Sequence, residues 1–138
     1  GTRTNVVAGE AVAEMDLRVA HKNQGAEMER RVRELRPVNP HCKLEIEGGI
    51  NRPPLERTQQ VAALFEVARR VGRELGFGLR EVAVGGGSDG NFTAGIGIPT
   101  LDGLGAVGDG AHAAHEHVIA AELPRRAALL AGLIRAIE

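Results

Sequence analysis

GGGSDGNFTAGIGIPTLDGLGAVGDGAHAAHEHV, residues 85–118, gathers a glycine run, a Ser-Asp pair and three of the five histidines of the chain. It divides into two sub-sites. The first is Gly85-Gly86-Gly87, preceded by the apolar Val82-Ala83-Val84 and followed by Ser88-Asp89. A short strand here would enter a turn open only to small residues, and Ser88 or Asp89 can cap a helix that follows. Backbone N–H groups bared at such a turn can hold a carboxylate or phosphate oxygen. A plain strand-to-helix connection has the same local pattern. Gly85, Gly87 and Gly90 also fit G-x-G-x-x-G, but Asp89 would set a negative charge beside a pyrophosphate. The stretch 91–97 is moreover too short and glycine-broken for a crossover helix, and Asp102 comes too early for the ribose-binding acid.

The second sub-site is Gly108-Asp109-Gly110-Ala111-His112, running on to His115, Glu116, His117 and Val118. An imidazole flanked by small residues is open to a metal, and neutral imidazole is a common zinc ligand. His112 and Glu116 are four apart, so a helical turn would bring them to one side. Catalytic zinc takes three protein ligands, usually recruited from distant parts of the chain, and lone histidines near a turn are more often solvated than bound, so one cluster is not a site.

GGGSDGNFTA, IPTLDGLGAVGDGAH and the glutamate four residues after the histidine closely resemble the C-terminal part of the M20 family of zinc peptidases, in particular its glutamate carboxypeptidase group. The resemblance covers nearly the whole chain. It implies that His112 is a zinc ligand, and that Gly86, Gly87 and Ser88 line the pocket beside the substrate's carboxylate. His115 and His117 stand where the family carries other residue types and inherit no metal role. GTRTNVVAGEAVAEMDLRV, residues 1–19, is similar to the family's paired lid strands, G-x-x-x-N-[VI]-[IV]-P followed by D-x-R, with Ala8 in place of the proline. By that match Asn5 would help polarise the scissile carbonyl, and Arg18 would bind the substrate's C-terminal carboxylate. A planar guanidinium suits that task because it pairs bidentately. Without the resemblance, Asn5 reads as a turn residue and Arg18 as the partner of Glu14 or Asp16.

The remaining chain gives the frame. Ala11, Ala13, Met15, Leu17 and Val19 alternate with polar positions, which predicts a half-buried strand. Met28, Val32 and Leu35 after Gly25 predict a helix stopped by Pro37 and Pro40, and Leu44 and Ile46 a second strand that completes a β-α-β unit near Ile50. Arg52-Pro53-Pro54 reads as a stiff linker. Thr58 is set to cap a helix with Val61, Leu64, Phe65, Ala68, Val71 and Leu75 on one stripe and Gly76 as its stop. Short strands are expected up to Val84 and over Ile98 to Leu101. A last helix from Pro124 carries Ala127, Leu130, Leu133, Ile134 and Ile137 on a broad face that needs a cover.

The fold expected is α/β. Residues 1–50 form the β-α-β half of a lid, or dimerisation, domain; 51–57 the linker; and 58–138 the C-terminal part of an α/β zinc-peptidase catalytic domain. The family's H-x-D motif, later Asp and Glu-Glu pair do not occur in the sequence, so the remaining zinc ligands and the general base are expected outside this chain. The chain is thus expected to be a C-terminal fragment, inactive alone. Its parent would be a zinc-dependent carboxypeptidase or amidohydrolase acting on a peptide-like or N-acyl amino-acid substrate, with glutamate the candidate released residue. Its expected partners are the rest of the polypeptide or another chain, and a second copy through the lid. The alternative is a non-catalytic dimerisation or interaction module.

Composition bounds these readings. In 138 residues, 43% are hydrophobic, 25% charged and only 2% aromatic, with a net charge of −1. The absence of Trp and Tyr, with no net basic charge, argues against nucleic acid as a partner. Cys42, the single cysteine, permits no intrachain disulfide, and no apolar run approaches the length of a membrane span. A cytoplasmic location without membrane contact is the expectation.

Overall fold

The computed structural model describes residues 1–137. Four helices, α1 (Lys22–Arg33), α2 (Gln59–Glu74), α3 (Gly90–Gly95) and α4 (Leu123–Ile137), are joined by extended segments and one short hairpin of β1 (Gly108–Asp109) and β2 (His117–Val118). This small mixed architecture agrees with an α/β chain.

Helix α2 is built as its sequence dictates. Thr58 Oγ1 accepts from the Val61 N–H at 3.2 Å, answering one of the donors that a helix start leaves free. At the other end Gly76 takes φ +83°, the left-handed conformation that ends a helix with little strain in glycine. Ala68 and Val71 then pack on Leu129 and Leu133 of α4 to make the buried core, with Val67, Phe77, Leu79, Leu101 and Leu104 around it. Gly132 lets the two helices approach, since a Cβ there would lie 2.6 Å from Val71 Cγ1.

The buried stripe of α4 is narrower than its sequence suggests. Leu129 and Leu133 face inward, whereas Leu130, Ile134 and Ile137 of the expected face are exposed. Among the described residues α2 is the only α-helix that packs along α4, beside the 3-10 turn at Ala120–Glu122 that leads into it. Arg126, one turn before Leu130, is spent on the loop below, donating to the carbonyls of Gly103 and Gly105 at 2.8 Å each.

Helix α1 begins earlier than the apolar spacing implies, because Gln24 Oε1 accepts from the Ala20 and His21 N–H groups and fixes the start there. Gly25 thereby falls inside the helix, buried, where a Cβ would sit 3.2 Å from Ile50 Cδ1 and 3.6 Å from Val19 Cγ2. This close approach seats α1 on both extended segments of the first fifty residues.

The expected strands are corrected here. Residues 11–19, 44–47, 82–84 and 98–101 are not hydrogen-bonded strands, and the only sheet among the described residues is the β1-β2 pair. Alternation sets which side chains share a face, but a ladder needs a second backbone at hydrogen-bonding distance, and none meets residues 11–19 among those described. No described helix is long and apolar enough to cross a membrane.

Candidate functional site

Arg18, in the extended segment before α1, reaches the glycine turn 67 residues away and donates from Nη1 to the Gly85 carbonyl at 2.7 Å. Its Nε and Nη2 donate to Asp16 Oδ2 at 3.0 and 2.7 Å. Of the two sequence partners weighed for Arg18 it is Asp16 that it meets, and the bond to the glycine turn comes in addition.

The turn is held from below by side chains rather than by a strand ladder. Asn91 Oδ1 accepts from the Ser88 N–H at 2.9 Å while its Nδ2 donates to the Pro53 carbonyl at 2.8 Å. Ser88 Oγ accepts from the Gly90 N–H at 3.2 Å, which leaves the hydroxyl proton to donate elsewhere. Asp89 sits at the N-cap of α3 without a side-chain capping bond, so Ser88 and Asn91 do that work. Gly86 and Gly87 are exposed, and among the described residues no acceptor meets their N–H groups.

Arg52, read from the sequence only as part of a linker, belongs to this cluster. Its guanidinium carbon lies over the Phe92 ring, 4.9 Å from the centroid, a cation–π contact. A Cβ on Gly87 would stand 3.1 Å from Arg52 Nη1, so the glycine admits the arginine to the turn. No local signal marks it, because the partners that define its place, Phe92 and Gly87, lie far along the chain. Two arginines from different segments thus flank a turn with unpaired backbone donors. All of these groups favour anions, and the planar guanidinium in particular favours carboxylate.

The histidine region folds differently from its expectation. It is the loop of a hairpin, with Gly108 opposite Val118 and Asp109 opposite His117, and not a helical turn. His112 is exposed at the loop and takes φ +65°, the only non-glycine residue with positive φ among those described. Its N–H donates to Glu116 Oε2 at 3.3 Å, so the two residues meet through backbone and carboxylate instead of through a helix face. The ring of His115 lies against Gly110, where a Cβ would be 2.6 Å from His115 Cδ2. His117 Nδ1 lies 3.0 Å from the His115 carbonyl oxygen. Of the three rings only that of His117 has a hydrogen-bonding partner among the described residues.

No group of three His, Cys, Asp or Glu side chains able to hold a metal occurs among the described residues. The donors present do not make up the ligand set of a metal site by themselves. Asn5, exposed in the N-terminal turn, is joined to neither the arginine cluster nor the hairpin by any hydrogen bond among the described residues. The structure therefore bonds Arg18 to the Gly85–Ser88 turn, and among the described residues no hydrogen bond joins Asn5 or His112 to it.

A family model described as Peptidase family M20/M25/M40 matches residues 4–136. The chain belongs to this family. The match includes both the Arg18 segment and the histidine hairpin, and it makes the chain part of a peptidase and amidohydrolase family whose members are generally metal-dependent. No curated protein and no solved structure matches the chain.

Proposed function

We propose that this M20 chain is the substrate-gripping and C-terminal portion of a zinc-dependent carboxypeptidase or amidohydrolase of the glutamate carboxypeptidase kind. It would hydrolyse a peptide-like or N-acyl amide and release a C-terminal amino acid, with glutamate the candidate. The observation that carries this reading is the Arg18 to Gly85 hydrogen bond, which sets a guanidinium at a turn whose Gly86 and Gly87 N–H groups are open. The substrate's free carboxylate would take those donors, with Arg52 on the far side of the turn and the Ser88 hydroxyl beside it. Residues 1–50 act as the lid, paired with a second copy, and 58–138 as part of the catalytic domain, joined by 51–57.

Asn5 would donate to the scissile carbonyl oxygen as charge develops on it. His112 would be one zinc ligand, its fellows and the general base lying outside this chain. Bound zinc in such sites supplies Lewis acidity and lowers the pKa of a water. The residues described here orient the substrate for that chemistry.

The test is kinetic, made in the active enzyme that contains this chain. Arg18→Lys should lower kcat/KM for a free-acid substrate roughly ten- to a hundred-fold, the range for a lost charge-assisted contact. The amidated analogue, poor for the wild type, should be no poorer for the variant, because an ammonium fails only where two parallel hydrogen bonds were made. Equal losses on both substrates would remove the carboxylate-anchor role.

A further inference from the structure

We infer that Asp16 is a positioning residue for Arg18, splitting the guanidinium into a held edge and an offered edge. This rests on the carboxylate-anchor reading of Arg18. A guanidinium presents its N–H donors in one plane, along a side edge of Nε and Nη2 and an end edge of Nη1 and Nη2. Asp16 Oδ2 accepts from Nε at 3.0 Å and from Nη2 at 2.7 Å, so the side edge is occupied. The end edge is thereby turned to the glycine run, where Nη1 finds the Gly85 carbonyl at 2.7 Å.

The spacing explains why this pair forms. Residues i and i+2 of an extended segment lie on the same face, so Asp16 is a near neighbour of Arg18 by backbone geometry alone. Glu14, two residues further back on that face, makes no bond to Arg18 among the described residues. Both partners are mostly solvent-exposed, the side chains 63% open for Arg18 and 70% for Asp16. An exposed ion pair of this kind adds little to stability. Its effect is on direction. A long side chain with several rotatable bonds would otherwise sample many headings, and fixing one of them reduces the ordering cost when a carboxylate arrives. An incoming carboxylate would meet the end edge and replace the Gly85 carbonyl at Nη1, while Asp16 keeps the side edge.

Asp16 also carries a negative charge that repels a carboxylate, so removing it has two opposed consequences. Loss of aim lowers activity on a free acid, whereas loss of charge raises it. The positioning role requires the first to win.

The experiment measures kcat and KM on a free-acid substrate and on its amide in the active enzyme containing this chain. It compares wild type, Asp16→Asn, Asp16→Ala, Arg18→Lys and the Asp16→Asn/Arg18→Lys double variant. Both Asp16 variants should lose about tenfold in kcat/KM on the free acid, the scale of a modest misplacement of a binding group. They should lose nothing on the amide, and Asp16→Asn should add no further loss once Arg18 is lysine. Equal losses on the two substrates, a gain on the free acid, or a full additional loss in the double variant would overturn the role. If Arg18→Lys separates the substrates and Asp16→Asn does not, only the positioning role fails. If Arg18→Lys itself treats acid and amide alike, the anchor reading fails and this role with it.

Discussion

At His112 the backbone has left the region that L residues prefer, with φ +65° at a residue bearing a full side chain. The left-handed conformation costs a non-glycine residue roughly 1–2 kcal/mol, and such outliers collect at functional positions. Glu116 supplies one compensation by accepting from the His112 N–H. His112→Gly should therefore be at least as stable to heat as wild type, and His112→Ala less stable than His112→Gly. Both variants should weaken zinc binding in the complete enzyme, while His115→Ala, whose ring rests on Gly110, should not. Thermal denaturation and metal titration of the three variants check this, and a damaging His115→Ala would move the ligand assignment. The sequence singles out such residues as candidates but does not show their neighbours. The motif singled out Arg18 and the glycine turn separately; their meeting across 67 residues is a fact of tertiary structure. Arg52 was hidden for a related reason, since Pro53 and Pro54 mark a linker and say nothing of the Phe92 ring beneath the guanidinium.

Among the elements, α2 was the most legible, because its cap, its apolar period and its glycine stop agree with one another. Its contact with α4 leads to a prediction. Alanine favours a helix interior over glycine by about 1 kcal/mol, yet Gly132→Ala would press a methyl onto Val71, whose β-branched side chain has little rotamer freedom in a helix. Overpacking costs about 1–3 kcal/mol, so the net change should be destabilising. A lower denaturation midpoint is expected; a higher one would mean the helices separate at no cost. Leu129→Ala, at the fully buried centre, should lose about 2–5 kcal/mol. A further element-scale prediction concerns pH. Hydrogen bonding from the Arg57 guanidinium holds the Glu81 carboxyl below its ordinary value, tying the segment before α2 to the segment before the glycine turn. A depressed carboxyl pKa contributes stability above the unfolded-state value that is lost as pH falls through the folded-state value. Wild type should therefore exceed Glu81→Gln in stability by a small margin at neutral pH, and the two should converge in acid. A margin that persisted at low pH would assign the effect to packing. The strands were the least legible elements, because alternation over residues 11–19 gives a face without a partner backbone.

On the scale of the whole molecule, membership of the M20 peptidase family and the geometry of the turn point the same way. On the proposed reading the chain would grip a carboxylate with arginines from two segments and offer the exposed His112 imidazole to a metal. Among the described residues no three donors converge, and His117 Nδ1 is taken by the His115 carbonyl. The central proposal is a division of labour, in which these residues would hold the substrate and contribute one metal ligand to a site completed by other residues. The most direct test is the zinc content of purified residues 1–138 after loading and exhaustive dialysis. The account predicts no stoichiometric zinc, because one imidazole is well short of the three protein ligands a catalytic zinc requires. Tight one-to-one zinc, lost in His112→Ala, would contradict it and show a complete site within the histidine hairpin.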